Sequence, residues 1–530
     1  MAESGRASRR PTPRVEPDTV TALRTDLLAA RFTVDGVAER LGQVVTRALH
    51  RDRGAALRRM LRGVRDPLAT LMACWTLGDA VAAADLDTAL PRTGTAGLMR
   101  LGLVGATAGN PGGHVRARYD LRPYAVAHGC ETVDAWVCSD WGEAVAGGPL
   151  PADHVPGVGG ASVTLASWTP RERIRRALDL GTGSGVQALA LAGHADRVVA
   201  TDVDDRALAF AAFTAAISGQ TWDLRRGDLF EPVAGERFDL VVANPPFVIT
   251  PRTPDVPRYR YRDGGRAGDE LVAHLVRRVA DHLERGGVAQ FLGNWEIPAG
   301  TDDWSGRPKA WLAGTGLDAW VVQRESADPA EYAHTWIRDG GHEPGTAAYE
   351  RLMTAWLDDF ERRDVAAVGF GIITLQRPAD GARGGRAPYT VFEEVASAVA
   401  QPTGPAVAAG LAARCWLADH PGDAVLDHAW RCAPDVLEER YAAPGAPDPA
   451  VIRLTQGGGL RRTVRLDTVG AAVVSVCDGS MTAGRALAAV CALLEQEPSA
   501  ARPALVDLLR TLVADGMLVP ADPPYPPSPR

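Results

Sequence analysis

The stretch Asp179-Leu180-Gly181-Thr182-Gly183-Ser184-Gly185 decides how this chain is read. It closes an apolar run at 177–180 and leads into another at 187–191, the order strand, glycine turn, helix. Working outward, further strands are expected at 197–201, 222–225, 238–243, 287–292, 318–323 and 365–376, and helices at 206–217 and 269–283. Strands alternating with helices argue for an α/β fold, a parallel sheet covered on both faces.

Glycines in a strand-to-helix turn permit a sharp bend and close approach of a ligand to the backbone. The loop misses the dinucleotide spacing, because Val186 stands where that pattern has glycine. This favours S-adenosylmethionine over NAD, with Asp179, Gly181, Thr182, Gly183 and Gly185 at the cofactor and Asp179 towards its ammonium end. Asp202, with Val203 beside it, ends the second expected strand, where a carboxylate accepts both hydroxyls of a ribose. The other reading of Asp202 is a helix N-cap ahead of Asp204-Asp205-Arg206. Asp228 suits the exocyclic amine of an adenine, with Leu229 or Phe230 beside the ring, or else is a turn aspartate.

The fourth expected strand ends in Asn244-Pro245-Pro246-Phe247, on the sheet edge where open α/β sheets bind ligands. The chain has three asparagines, at 110, 244 and 294, so one in this setting is not compositional noise. A planar amide or amine nitrogen attacks poorly because its lone pair is delocalised. The Asn244 side-chain oxygen and the Pro245 carbonyl are placed to accept its two N–H groups. The prolines stiffen the turn and remove competing donors, and Phe247 offers a face to a planar group. Alignment and charge-matched hydrogen bonding then supply the rate. Asn244 is also counted among the cofactor-side residues.

Beyond this turn, 252–266 alternates arginines with Tyr259 and Tyr261. It reads either as a clamp on substrate, through Arg258, Tyr259 and Tyr261, or as a solvated loop. His274, His282 and His334 have no partner pattern and are expected to be structural.

Length and composition bound the rest. A chain of 530 residues needs two to four domains. Seven scattered cysteines form no Cys-x-x-Cys and no zinc-ligand spacing, so a reduced, cytoplasmic, metal-free protein is expected. No signal peptide and no membrane span is read. The formal charge is −8, yet seven arginines crowd 45–65. Lysine occurs once, at Lys309, so arginine richness says little about phosphate binding.

Four segments are expected. Residues 1–17 read as a disordered tail. Residues 18–125 read as a helical, winged-helix-like module, with Leu57, Met60, Leu61 and Val64 opposite Arg58, Arg59, Arg62 and Arg65, then a turn at 108–113 and a strand at 114–121. The α/β domain occupies 126–378, and a linker at 378–388 leads into the segment 379–530. There a hairpin (450–455 and 463–466), a helix (505–515) and a strand (517–520) suggest a second winged-helix-like module with a proline-rich tail.

The glycine loop, Asp202, Asp228 and Asn244-Pro-Pro-Phe247 together resemble the class I S-adenosylmethionine-dependent methyltransferases, in the small methyltransferase-domain branch with the HemK/PrmC-type protein glutamine methyltransferases. That resemblance implies a Rossmann-like sheet over roughly 130–378. Residues 262–269 look like the Gly-Gly-x-x-Gly segment of PrmC-type enzymes. Enzymes for ribosomal-RNA guanine tend to have His where this chain has Val248, which tilts the expectation toward protein glutamine. The three-part layout looks like a group of actinobacterial methyltransferase-like proteins. Three functions follow as expectations: methylation of a protein glutamine, methylation of a base amine in RNA or DNA, or a non-enzymatic regulator that senses the cofactor.

Overall fold

The computed structural model describes residues 10–49, 54–107, 113–128, 131–379 and 386–521. The tail up to residue 9, Arg51 and Arg53, the turn at 108–112, the linker centre at 380–385 and the tail from 522 lie outside the described residues, as does the side chain of Arg47. The chain divides into two compact units, one of residues 1–166, 173–315 and 325–374, the other of 167–172, 316–324 and 375–530.

In the first unit the sheet runs in the order Val365–Gln376, Leu283–Pro298, Phe238–Ala243, Ile174–Leu180, Ala195–Asp202, Asp223–Arg226. The five strands from Leu283–Pro298 to Asp223–Arg226 are parallel. Strands covered on both faces carry unbroken apolar runs, and Leu240-Val241-Val242-Ala243 is buried throughout. Asp179 is in register with Val242 on one side and Ala200 on the other. The glycine loop, Asp202 and Asn244 therefore leave the sheet at one edge, from three neighbouring strands.

The helix Asp205–Ile217 explains how the N-terminal region attaches. Ala207, Phe210, Ala211, Phe213 and Ile217 are all buried, which leaves this helix no solvent stripe. Phe210 meets Tyr119 edge-on at 5.1 Å and joins a core running from Val20 to Trp136. A hairpin of Asp120–His128 and Glu131–Ser139 docks on the same helix: Cys138 N–H donates to Thr214 Oγ1 and Trp136 N–H to Ser218 Oγ, both at 3.1 Å. This hairpin runs through the expected boundary at 125/126. Ahead of it, Val81–Ala82, Val104–Ala106 and His114–Ala117 form a small antiparallel sheet, ordered first, third, second along the chain. The expected disordered tail also differs in its last part, since Arg14 N–H donates to the Leu101 carbonyl at 2.9 Å and a helix begins at Pro17. In the helix Gly54–Leu61, Leu57 and Leu61 are buried as expected, but Val64 lies beyond its end and is exposed.

In the second unit, Asp318–Ala327 pairs in parallel with Thr390–Glu394. The expected hairpin forms as Val451–Gln456 with Thr463–Leu466, joined by Val436–Tyr441 in a sheet of three. Leu518–Pro520 belongs to another sheet, with Ala429–Cys432 between it and Asp478–Thr482. The helices Thr468–Ser475, Ala483–Leu493 and Pro498–Ala514 pack a core that includes Leu487, Leu509 and Leu512.

Among the described residues, no helix is long and apolar enough to cross a membrane, and no group of three His, Cys, Asp or Glu side chains is arranged to hold a metal.

Candidate functional site

Gly181, Gly183 and Gly185 take φ values of 75°, 55° and 88°, which side chains resist. At Gly181 and Gly183 an added Cβ meets nothing within 4 Å, so the space beside the loop is open. Gly185 is different. A Cβ there lies 2.6 Å from the Trp222 ring, so this glycine serves the packing of the helix that follows. The loop is fastened by Asp179, whose Oδ2 accepts the Thr182 hydroxyl at 2.6 Å and the Ala188 N–H at 2.9 Å. Its Oδ1 is buried without a hydrogen-bond partner, and burial pushes the carboxyl up to about 7. An orphaned acceptor at the base of an open loop fits the ammonium group of a bound methionine portion.

Asp202 and the N-cap prove to be different residues. Asp204 caps the helix Asp205–Ile217, its side chain accepting Arg206 N–H. Asp202 binds the loops on either side, accepting Gly183 N–H and Asp204 N–H. Burial raises its carboxyl above the usual range. Beside it Val203 is 58% exposed, an apolar side chain open at the sheet edge. Asp228 is exposed and its carbonyl accepts Glu231 N–H in a tight turn, so the turn and ligand readings coexist there. Leu229 takes a φ of 47°, a left-handed strain of about 1–2 kcal/mol for a side-chain residue. Phe230 is buried and stacked on His282 at 4.5 Å, which removes it as a partner for an adenine. His282 and His334, its Nδ1 2.7 Å from the Tyr349 hydroxyl, are structural.

Asn244 is half-buried, and among the described residues nothing hydrogen-bonds its side chain. The Pro245 carbonyl already accepts Phe247 N–H at 2.7 Å, which leaves it one lone pair. Phe247 is half-buried and meets Trp336 edge-on at 6.3 Å. Val248 is buried in the cluster beneath.

The arginine–tyrosine segment corrects the clamp reading. Tyr259 is 3% exposed and donates to the Gly340 carbonyl, so it has no face for a substrate. Tyr261 donates to Asp339 at 2.6 Å. Arg262 is buried, bonded to Asp339 and the Trp336 carbonyl, with its guanidinium 4.4 Å over the Tyr259 ring. These groups fasten the segment to the helix Pro329–Asp339. Arg258 is exposed.

Two further residues escaped sequence reasoning. Tyr332, fully buried, accepts Ile249 N–H at 3.0 Å and Asn294 Nδ2 at 2.7 Å. The rarity of asparagine that pointed to Asn244 points equally to Asn294. For Tyr332 the sequence carries no signal.

The segment that builds this edge is similar to known methyltransferase domains. Residues 157–300 match the methyltransferase small domain. Residues 29–118 and 408–520 match two other families, each described as a domain of unknown function. A ribosomal protein uL3 glutamine methyltransferase of Xanthomonas campestris is 39% identical over 131 residues, 23% of this chain and 42% of that protein. A protein of the same name from Bradyrhizobium diazoefficiens is 34% identical over 195 residues, 32% of this chain and 60% of that one. A ribosomal RNA small subunit methyltransferase C of Salmonella arizonae is 30% identical over 141 residues, 26% of this chain and 36% of that one. The chain thus spans less than two thirds of each of these relatives.

Proposed function

We propose that this protein transfers a methyl group from S-adenosylmethionine to a planar nitrogen, the side-chain amide of a protein glutamine. The observation that carries the reading is the unbonded Asn244 side chain, one strand from a glycine loop whose buried Asp179 Oδ1 lacks a partner. In this reading Asp179, Gly181, Thr182, Gly183 and Gly185 hold the methionine side, Asp202 and Val203 the ribose, and Asp228 with Leu229 the adenine. The cofactor supplies an electrophilic methyl group. Asn244 Oδ1 and the remaining Pro245 lone pair accept the two amide N–H groups and fix the nitrogen's orientation. Pro245 and Pro246 hold that turn, and Phe247 packs against the acceptor's plane. No strong base is required, since an alkylated amide nitrogen is acidic and loses its proton to water.

The names of the glutamine methyltransferases among the relatives support a protein acceptor. The small-subunit RNA relative makes a base amine the competing acceptor. Transfer of labelled methyl into a cell extract, split by protease and nuclease, separates them. Label lost to protease supports the proposal. Label that survives protease and is lost to nuclease overturns it in favour of the base amine.

We further read the chain as cytoplasmic and three-part. The order strand, helices, strand, strand at 81–117, with the last strand central, supports the winged-helix reading of this module. Together with the segment 408–520 it is proposed to bring the substrate to the methyltransferase domain.

A further inference from the structure

The helices Pro329–Asp339 and Ala347–Arg362 lie between Ala327 and Val365 in the chain and pack behind the Asn244–Phe247 turn. Four ties join the first of them to the segment that follows the turn. Tyr332 binds Ile249 N–H, Tyr261 and Arg262 both bind Asp339, and Arg262 also binds the Trp336 carbonyl. Of these, only the Tyr332 hydroxyl also reaches the central sheet, through Asn294 on Leu283–Pro298.

The chemistry of that hydroxyl is unusual. It is fully buried among the rings of Trp336, Trp356, Phe360 and Phe370. Burial raises the phenol's pKa, so it stays neutral. Asn294 is 1% exposed and Ile249 is fully buried, so the groups that Tyr332 serves are shut off from bulk solvent. A backbone N–H buried without an acceptor is destabilising, so the Ile249 N–H depends on the Tyr332 hydroxyl. Ile249 is five residues past Asn244, and only Val248 separates it from Phe247.

We propose that Tyr332 is a positioning residue for methyl transfer. Its hydroxyl locks the backbone at Ile249 to the sheet and so sets where the Asn244–Phe247 turn presents its acceptors to a planar nitrogen. The role in transfer rests on the reading of the site as an N-methyltransferase. The tie itself does not, which keeps the two separable.

The test compares the full-length Tyr332→Phe and Trp356→Phe variants. Both trim the same aromatic cluster, but only the first removes the hydroxyl. Hydrogen exchange across 244–250 is read by mass spectrometry, and methyl transfer is read from labelled S-adenosylmethionine into the protein fraction of a cell extract. Tyr332→Phe is expected to speed exchange at 244–250 about tenfold, the factor for losing one buried hydrogen bond. It should lower the transfer rate at saturating cofactor by at least about tenfold. The KM for S-adenosylmethionine and the Kd for S-adenosylhomocysteine should stay within about twofold. Trp356→Phe should lower the melting temperature while holding both exchange at 244–250 and the transfer rate within about twofold. Unchanged exchange in Tyr332→Phe overturns the proposal, as does an equal loss of rate in the two variants. If the wild-type chain transfers no label, the N-methyltransferase reading fails and the positioning role falls with it, while the exchange comparison still decides whether the tie exists.

Discussion

Asp202 holds Gly183 N–H with one carboxylate oxygen and Asp204 N–H with the other, each at 2.9 Å. One side chain thereby sets the distance between the glycine loop and the start of the next helix. Asp202→Ala frees both donors and removes the carboxylate proposed to take the ribose. Affinity for S-adenosylhomocysteine is expected to fall about 10–100-fold by calorimetry, with turnover at saturating cofactor falling less than about tenfold. A loss of turnover with intact affinity would place the ribose elsewhere.

Asn244→Ala should show the opposite split. Its side chain is not used inside the fold, so stability should change by less than about 0.5 kcal/mol. Turnover should fall about 10²–10³-fold, the usual cost of removing one aimed polar group at a reacting centre. Cofactor affinity should stay within about threefold. Equal losses of turnover and affinity would mark the turn as structural.

The carboxyl of Asp179 gives a pH dependence with a definite sign. Its ordinary value is 3.8, and burial pushes it up to about 7. The folded state therefore holds the proton more tightly than the unfolded chain. The stability it lends is full below 3.8 and is lost as pH rises towards about 7. A bound ammonium group needs the ionised form. Affinity for S-adenosylmethionine is expected to rise about tenfold from about pH 6 to about pH 8, with proton release seen as buffer-dependent binding heat. Asp179→Asn should bind weakly and with a flat profile. A wild-type affinity that falls over this interval would remove Asp179 from the ammonium site.

The loop glycines should separate by thermal melting. Gly183→Ala meets only left-handed strain, about 1–2 kcal/mol. Gly185→Ala adds the collision with Trp222, about 1–3 kcal/mol more. Gly185→Ala should therefore melt lower, while Gly183→Ala should lose more cofactor affinity than its stability cost explains, because its Cβ enters the open space. The reverse order of melting temperatures would refute this division of labour.

The sheet was legible because its strands are buried on both faces and so are written as short apolar runs. The runs at 238–243 and 365–376 coincide with the observed strands. The glycine loop was legible because three positive φ angles leave three glycines. The arginine–tyrosine segment was not. Alternating Arg and Tyr serves an open clamp and an internal stack equally well, and only the helix Pro329–Asp339 decides between them. Asp202 posed the same difficulty, since three acidic residues precede Arg206 and only the hydrogen bonds separate the cap from the loop brace. The hairpin at 120–139 was hidden because Pro123 and the polar start Glu131-Thr132 depart from the apolar alternation of a strand, whereas two-stranded pairing tolerates both.

The hydroxyls of Thr214 and Ser218, bonded to the backbone of Cys138 and Trp136, carry a consequence for the life of the chain before folding is complete. They shield the outer rim of a two-stranded hairpin whose last five residues are buried. On a ribosome that rim is made 76 to 82 residues before the hydroxyls that shield it. In that interval it is a template for strand addition by another copy or a chaperone. A fragment that ends before residue 205 retains the template for good. It should therefore precipitate or pair with itself, and a soluble expression boundary lies beyond Ser218.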